Sequence, residues 1–145
     1  MPESPIVMND RFDHEKLDAY AVAVDFVGIA TTLVSDLPRG RAFLADQLYR
    51  ASSSIVLNIA EGAGEFAPRE KARFYRMARR SATECAAIVD VLFKFKAIDE
   101  SARATARGLL VRIVAMLTRM AQQFDSGTGS GSGSGSGTDG GSRED

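Results

Sequence analysis

Apolar residues recur along the chain at intervals of three and four, and at about 100° per residue this pattern predicts four long amphipathic helices joined by short breaks. The first helix is expected to follow Asp13 as N-cap and to run to about residue 35, before Leu37-Pro38. Leu17, Tyr20, Val24, Val27, Thr31 and Val34 form one seam along it, while Val22, Phe26, Ile29 and Leu33 form a second apolar stripe on a different side. Asp18, Asp25 and Thr32 mark the polar strip. A helix with two apolar sides needs two partners, so the second stripe is read as an oligomer interface.

The second helix is predicted over about 41–61, with Leu44, Leu48, Ala51, Ile55 and Ile59 as its core stripe. It should stop at Gly62-Ala63-Gly64, because glycine enters the left-handed region without a Cβ penalty. Beside the core stripe lies a polar row, Gln47, Arg50, Ser54, Asn58 and Glu61. The third helix begins around Pro68, which suits the first helical position, and continues to about residue 96. Its expected inner face is Phe74, Met77, Ala78, Ser81, Cys85, Ile88, Leu92 and Phe95. On another side Arg69, Arg73, Arg76 and Arg80 fall within an arc of about 60°, broadened by Lys71 and Arg79. The fourth helix takes Asp99 as N-cap and runs to about residue 124, with Ala102, Ala106, Leu109, Ile113, Met116, Leu117, Met120 and Phe124 along one side. Short connections favour antiparallel neighbours, hence an all-α, up-down-up-down four-helix bundle.

A length of 145 residues suits one domain. Residues 1–11 read as a flexible N-terminus and 12–124 as the bundle. Residues 125–145 contain no apolar side chain and are expected to be a disordered Gly/Ser-rich tail. Eight of the 13 glycines lie in that tail, and so glycine-poor a body argues against a turn-rich β protein.

Composition also limits the chemistry. One cysteine, Cys85, excludes an intramolecular disulfide and a cysteine-rich zinc site, and its place on the inner face reads as a small buried hydrophobe. The single histidine, His14, stands between Asp13 and Glu15 in a solvated-looking position, and no Glu-x-x-His pair exists for a di-iron bundle. No metal and no cofactor is expected. The apolar runs are too short to span a bilayer, and the N-terminus has no basic region leading into a long apolar stretch, so a soluble cytoplasmic protein is expected. The net charge of −1 hides an uneven distribution: residues 11–124 carry 17 Lys and Arg against 13 Asp and Glu.

Two stretches carry a resemblance. Gln47-Leu48-Tyr49-Arg50-Ala51-Ser52-Ser53-Ser54-Ile55-Val56-Leu57-Asn58-Ile59-Ala60-Glu61-Gly62 resembles the signature of the bacterial four-helix proteins encoded in 23S ribosomal RNA intervening sequences. Phe74-Tyr75-Arg76-Met77-Ala78-Arg79-Arg80-Ser81-Ala82-Thr83-Glu84 is similar to that family's aromatic-x-x-x-Ala-x-x-Ser-x-x-Glu stretch. The family in turn resembles the accessory variability determinant proteins of diversity-generating retroelements. The resemblance implies an antiparallel four-helix protomer, a ring-like homopentamer, no catalytic activity and a basic surface that binds nucleic acid. In the retroelement branch it also implies a reverse transcriptase and template RNA as partners.

Read physically, Gln47, Arg50, Ser54, Asn58 and Glu61 with Ser81 and Glu84 form a polar seam where the second and third helices meet, fixing helix register or subunit orientation. No nucleophile or phosphate loop accompanies the two glutamates, so no catalytic residue is assigned. The leading expectation is a non-enzymatic oligomer that binds RNA or DNA through Arg69, Lys71, Arg73, Arg76, Arg79 and Arg80, with little sequence preference. The alternative is an interaction or scaffold module that docks a protein such as a reverse transcriptase without touching nucleic acid.

Overall fold

A computed structural model describes residues 11–127, and all its regular elements are helical. A short 3-10 turn, Asp13–Lys16, leads into α1, Asp18–Val34. A second 3-10 turn, Arg39–Arg41, precedes α2, Ala42–Gly64, which is followed by α3, Pro68–Lys94, and α4, Glu100–Gly127. α1 packs on α2 and α4, and α3 packs on the same two helices from the other side, so the core lies between all four.

The expected ends hold at Pro68, the first residue of α3, and at Asp99, whose Oδ1 accepts a hydrogen bond from the Ala102 N–H at 2.8 Å. Asp13 is not the cap of α1; it opens the 3-10 turn instead. That turn is held by the Phe12 N–H donating to Glu15 Oε1 at 3.2 Å and by His14, whose ring stacks on Phe12 and meets Tyr20 edge-on. His14 is therefore a half-buried packing residue rather than a solvated one. Just past the end of α3, Lys96 lies in the left-handed region, φ 63°, where the Lys96 N–H donates to Phe93 O and the Ala97 N–H to Leu92 O. Any Cβ is strained there. Lys96→Gly is expected to raise stability by about 1 kcal/mol, read from the urea midpoint.

The stripe on α2 faces the core as predicted: Leu44, Leu48, Ala51, Ile55 and Ile59 are all buried. On α1 the core face is turned toward the second stripe, although Val34 of the expected seam is buried and Leu17 and Tyr20 pack half-buried against the core. The buried residues are Ala19, Val22, Ala23, Phe26, Ala30 and Val34, with Ile29 and Leu33 half-buried against them, so the stripe read as an oligomer interface is the core face. Val24 and Thr31, from the stripe read as core, are exposed. The alanines decide it. Taking Phe26 as zero, Ala19, Ala23 and Ala30 lie within about 60° of it and Val24 lies about 160° away. Three small side chains let the neighbouring helices approach on that side.

Gly62 also differs from expectation. No glycine among the described residues has positive φ, and α2 continues through Gly62 and Ala63 to Gly64. Gly62 is needed for close approach: a Cβ there would lie 2.6 Å from Tyr75 Cε1 and 3.1 Å from Phe74 Cβ. Tyr75 is buried and has nowhere to go. Gly62→Ala gains about 1 kcal/mol of helix propensity but overpacks at a cost of about 1–3 kcal/mol. A net loss of about 1 kcal/mol is expected. Gly108→Ala, inside α4 with nothing within 4 Å of its Cβ position, should instead gain about 1 kcal/mol. Thermal melts of the two variants should move in opposite directions.

α4 runs to Gly127, so residues 125–127 are helical rather than part of the tail. Residues 1–10 and 128–145, most of the two segments expected to be flexible, lie outside the described residues.

Candidate functional site

The exposed face of α3 is built from residues one turn apart, which brings Arg73, Arg76 and Arg80 to one side of a regular helix. With Arg79, Met77 and Thr83 they line an open concavity of about 530 Å³. Arg69 is exposed one turn before Arg73 but is not part of the lining.

Three of the four guanidiniums have a particular neighbour. Arg73 Nε lies 3.2 Å from Glu70 Oε1, and Arg76 Nη1 lies 2.6 Å from Asp125 Oδ2 on α4. Arg79, half-buried, donates to Thr118 Oγ1 at 3.3 Å, which fixes it at the α3–α4 edge. Arg80 is exposed and makes no side-chain hydrogen bond or ion pair among the described residues. The two ion pairs are solvent-exposed and are worth about 0–1 kcal/mol each, so an incoming phosphate displaces their carboxylates readily. Guanidinium stays charged at any physiological pH and offers paired donors to an anionic oxygen.

Lys71 does not belong to this face. Its Nζ donates to the carbonyl oxygens of Gly62 and Ala63, each at 3.0 Å, and lies 5.5 Å from the centre of the Phe124 ring. The last carbonyls of a helix have no partner of their own, and Lys71 supplies one for α2.

The polar seam is shorter than expected. Ser81 Oγ donates to Ser54 Oγ at 2.9 Å, and Asn58 Nδ2 donates to Ser54 O and Oγ at 2.9 and 3.0 Å. These three half-buried side chains tie α2 to α3 at one level and fix their register. Gln47, Arg50, Glu61 and Glu84 are exposed and outside the network. Arg50 pairs with Asp46 at 3.1 Å within α2, and Arg50 and Glu61 sit about 120–140° from Ile55 where Asn58 sits about 60° away. Ser52, which the sequence reading passed over, is buried, its Oγ donating to Tyr49 O at 3.2 Å.

Cys85 is buried as expected, and burial, with a smaller contribution from the Glu84 charge, pushes its thiol up to about 12. A thiol so far from ionisation is a packing group, not a nucleophile. Burial likewise raises the Tyr75 phenol, whose ring fills the space above Gly62.

Two residues that line the concavity, and the acid paired with one of its arginines, were not anticipated there. Met77 and Thr83 continue the three-and-four spacing of the ridge and were open to detection by extending it one step. Asp125 was hidden by the Ser-Gly sequence that follows it. Thr83 also borders a second groove of about 370 Å³, lined by Ala86, Arg107, Leu110, Val111, Val114 and Ala115.

A four-helix all-α protomer with a Ser/Asn register lock and an arginine-lined face is the class of protein these features define. The chain belongs to the 23S rRNA-intervening sequence protein family, whose pattern matches residues 15–119. No curated protein matches it. No helix among the described residues is long and apolar enough to cross a membrane.

Proposed function

We propose that this protein is a non-enzymatic accessory that holds RNA or DNA by the phosphate backbone, on the concavity of Arg73, Arg76, Arg79 and Arg80. That concavity is the single observation carrying the reading: four permanent cations are held on one helix face, and only exposed carboxylates compete for them. Base readout has little support. Of the two aromatic residues within the ridge, Tyr75 is buried, and Phe74 is half-buried with the Arg73 guanidinium 5.2 Å from the centre of its ring, so neither presents a free face for stacking. Binding should therefore be largely independent of sequence.

The proposal includes an antiparallel up-down-up-down protomer that self-associates, with a pentamer as the expected size. Opposed directions are supported for α3 and α4 by Arg103 with Asp90, Arg79 with Thr118, then Arg76 with Asp125, and for α2 and α3 by Ser81 with Ser54 and Lys71 with Gly62. Self-association is supported by large apolar residues left outside, Phe43 and Leu57 on α2 and Val111 on α4. Each added protomer would repeat the arginine face and multiply the phosphate contacts.

The test is binding of a labelled single-stranded RNA and a duplex DNA over a salt series. With about four phosphates engaged per site, log affinity for the single strand should fall against log salt with a slope of about −3, or roughly 50-fold between 50 and 200 mM. A flat response, or no binding at low salt, would sink the reading. It would then favour a protein-docking role, for which the apolar groove of Leu110, Val111 and Val114 is the supporting observation.

A further inference from the structure

α4 ends beside the arginine concavity, and Asp125 in its last turn makes an ion pair with Arg76. Helix stability does not explain a carboxylate there, because the dipole at a helix C-terminus disfavours negative charge. The partner on α3 does. From that anchor, residues 126–137 are serine, glycine and one threonine, and residues 138–145 carry Asp139, Glu144 and Asp145 against one Arg143. The segment has no apolar side chain, so charge is the chemistry by which it can be recognised.

We propose that the arginine concavity is the docking surface for the acidic segment 138–145 of the same chain, which covers Arg73, Arg76 and Arg80 until a polyanion displaces it. The inference rests on the reading of the concavity as an anion site and adds a regulator to it. Reach is sufficient. A Gly/Ser chain spans roughly 20 Å over the 12 residues from Gly127, the last of α4, to Asp139, whereas Arg73 and Arg80 are about 10 Å apart along α3. A tether of this kind holds its acids at a local concentration on the order of millimolar. If the segment's own dissociation constant is about 0.1–1 mM, it lowers the apparent affinity for nucleic acid about two- to tenfold. Both contacts are ionic, so salt weakens the internal competitor together with the external ligand. The full chain should therefore show a shallower salt slope than a chain whose segment cannot dock.

The experiment compares the full-length chain with Asp139→Asn/Glu144→Gln/Asp145→Asn, using a labelled oligouridylate at low salt. A third protein, Asp18→Asn/Asp25→Asn/Asp36→Asn, removes the same amount of negative charge from exposed positions on and just after α1. The expected result is binding about two- to tenfold tighter for the first variant and not for the second. Equal tightening in both would reduce the effect to net charge and overturn the proposal, as would no tightening in either. If no protein binds the RNA, the anion-site reading fails, and the contact itself is decided by the NMR resonances of the Arg73, Arg76 and Arg80 Nε–H groups. Shifts between wild type and the first variant establish docking, and unchanged resonances dispose of it.

Discussion

Phe26→Asp is expected to unfold the protein. The Phe26 side chain is 0% exposed and sits among Ala23, Ala30 and the facing helices. Losing a buried phenylalanine costs about 3–5 kcal/mol by the large-to-small series alone. The carboxylate that replaces it must either lose its hydration without a partner or take up a proton, and either adds further cost. Together these approach the whole stability of an ordinary domain, about 5–15 kcal/mol. Circular dichroism should show most of the helix signal lost at ambient temperature. Val24→Asp, two residues away on a side chain 42% exposed, should change the stability of the protomer by no more than about 0.5 kcal/mol. Retained helicity in the Phe26 variant with a fall in mass by light scattering would restore the interface reading of this stripe and contradict the packing described above.

The reason that reading was open at all lies in how helices reveal their phase. α2 was legible because its buried stripe is made of large side chains with polar residues around them. α1 is apolar over most of its circumference, so valine and phenylalanine are found on several sides and hydropathy does not choose among them. The choice is made by Ala19, Ala23 and Ala30, whose small size matters only once a neighbouring helix is present.

α3 shows the same limit more sharply. Of its expected stripe, Ala78, Cys85, Ile88 and Leu92 are buried, but Phe74 and Ser81 are half-buried and Met77 and Phe95 exposed, and a small rotation of the face buries Ala72, Tyr75, Ala82 and Val89 instead. What sets that rotation is the Tyr75 ring lying against Gly62, a contact between two helices that neither segment reveals alone. α4 likewise centres on Leu110 rather than its neighbour Leu109. For the site, the spacing of Arg73, Arg76 and Arg80 was sufficient, because all three act from one face of one helix. The diversion of Lys71 onto the carbonyls of Gly62 and Ala63 was not visible, since it depends on where the end of α2 lies relative to the first turn of α3.

Arg73→Glu/Arg76→Glu/Arg80→Glu should abolish nucleic-acid binding at moderate salt while leaving the protomer folded. The three side chains are exposed, so folding loses at most the weak pairs to Glu70 and Asp125. Binding loses three phosphate contacts and gains three repulsive charges in one concavity. From the counterion-release relation, three single-strand contacts at 50 mM salt contribute on the order of 10²–10³-fold in affinity. The residual salt slope should drop to about −1, the share left to Arg79. Arg69, exposed but outside the concavity, provides the comparison: Arg69→Glu should cost no more than about tenfold, through long-range charge alone. Equal losses from the two variants would mean that the general positive charge of the bundle, and not the concavity, holds the ligand. Because the triple variant also removes the partners proposed for residues 138–145, neutralising those acids should produce no further change in it. In the wild-type background the same neutralisation should tighten binding, and that difference separates a docked tail from a merely repulsive one.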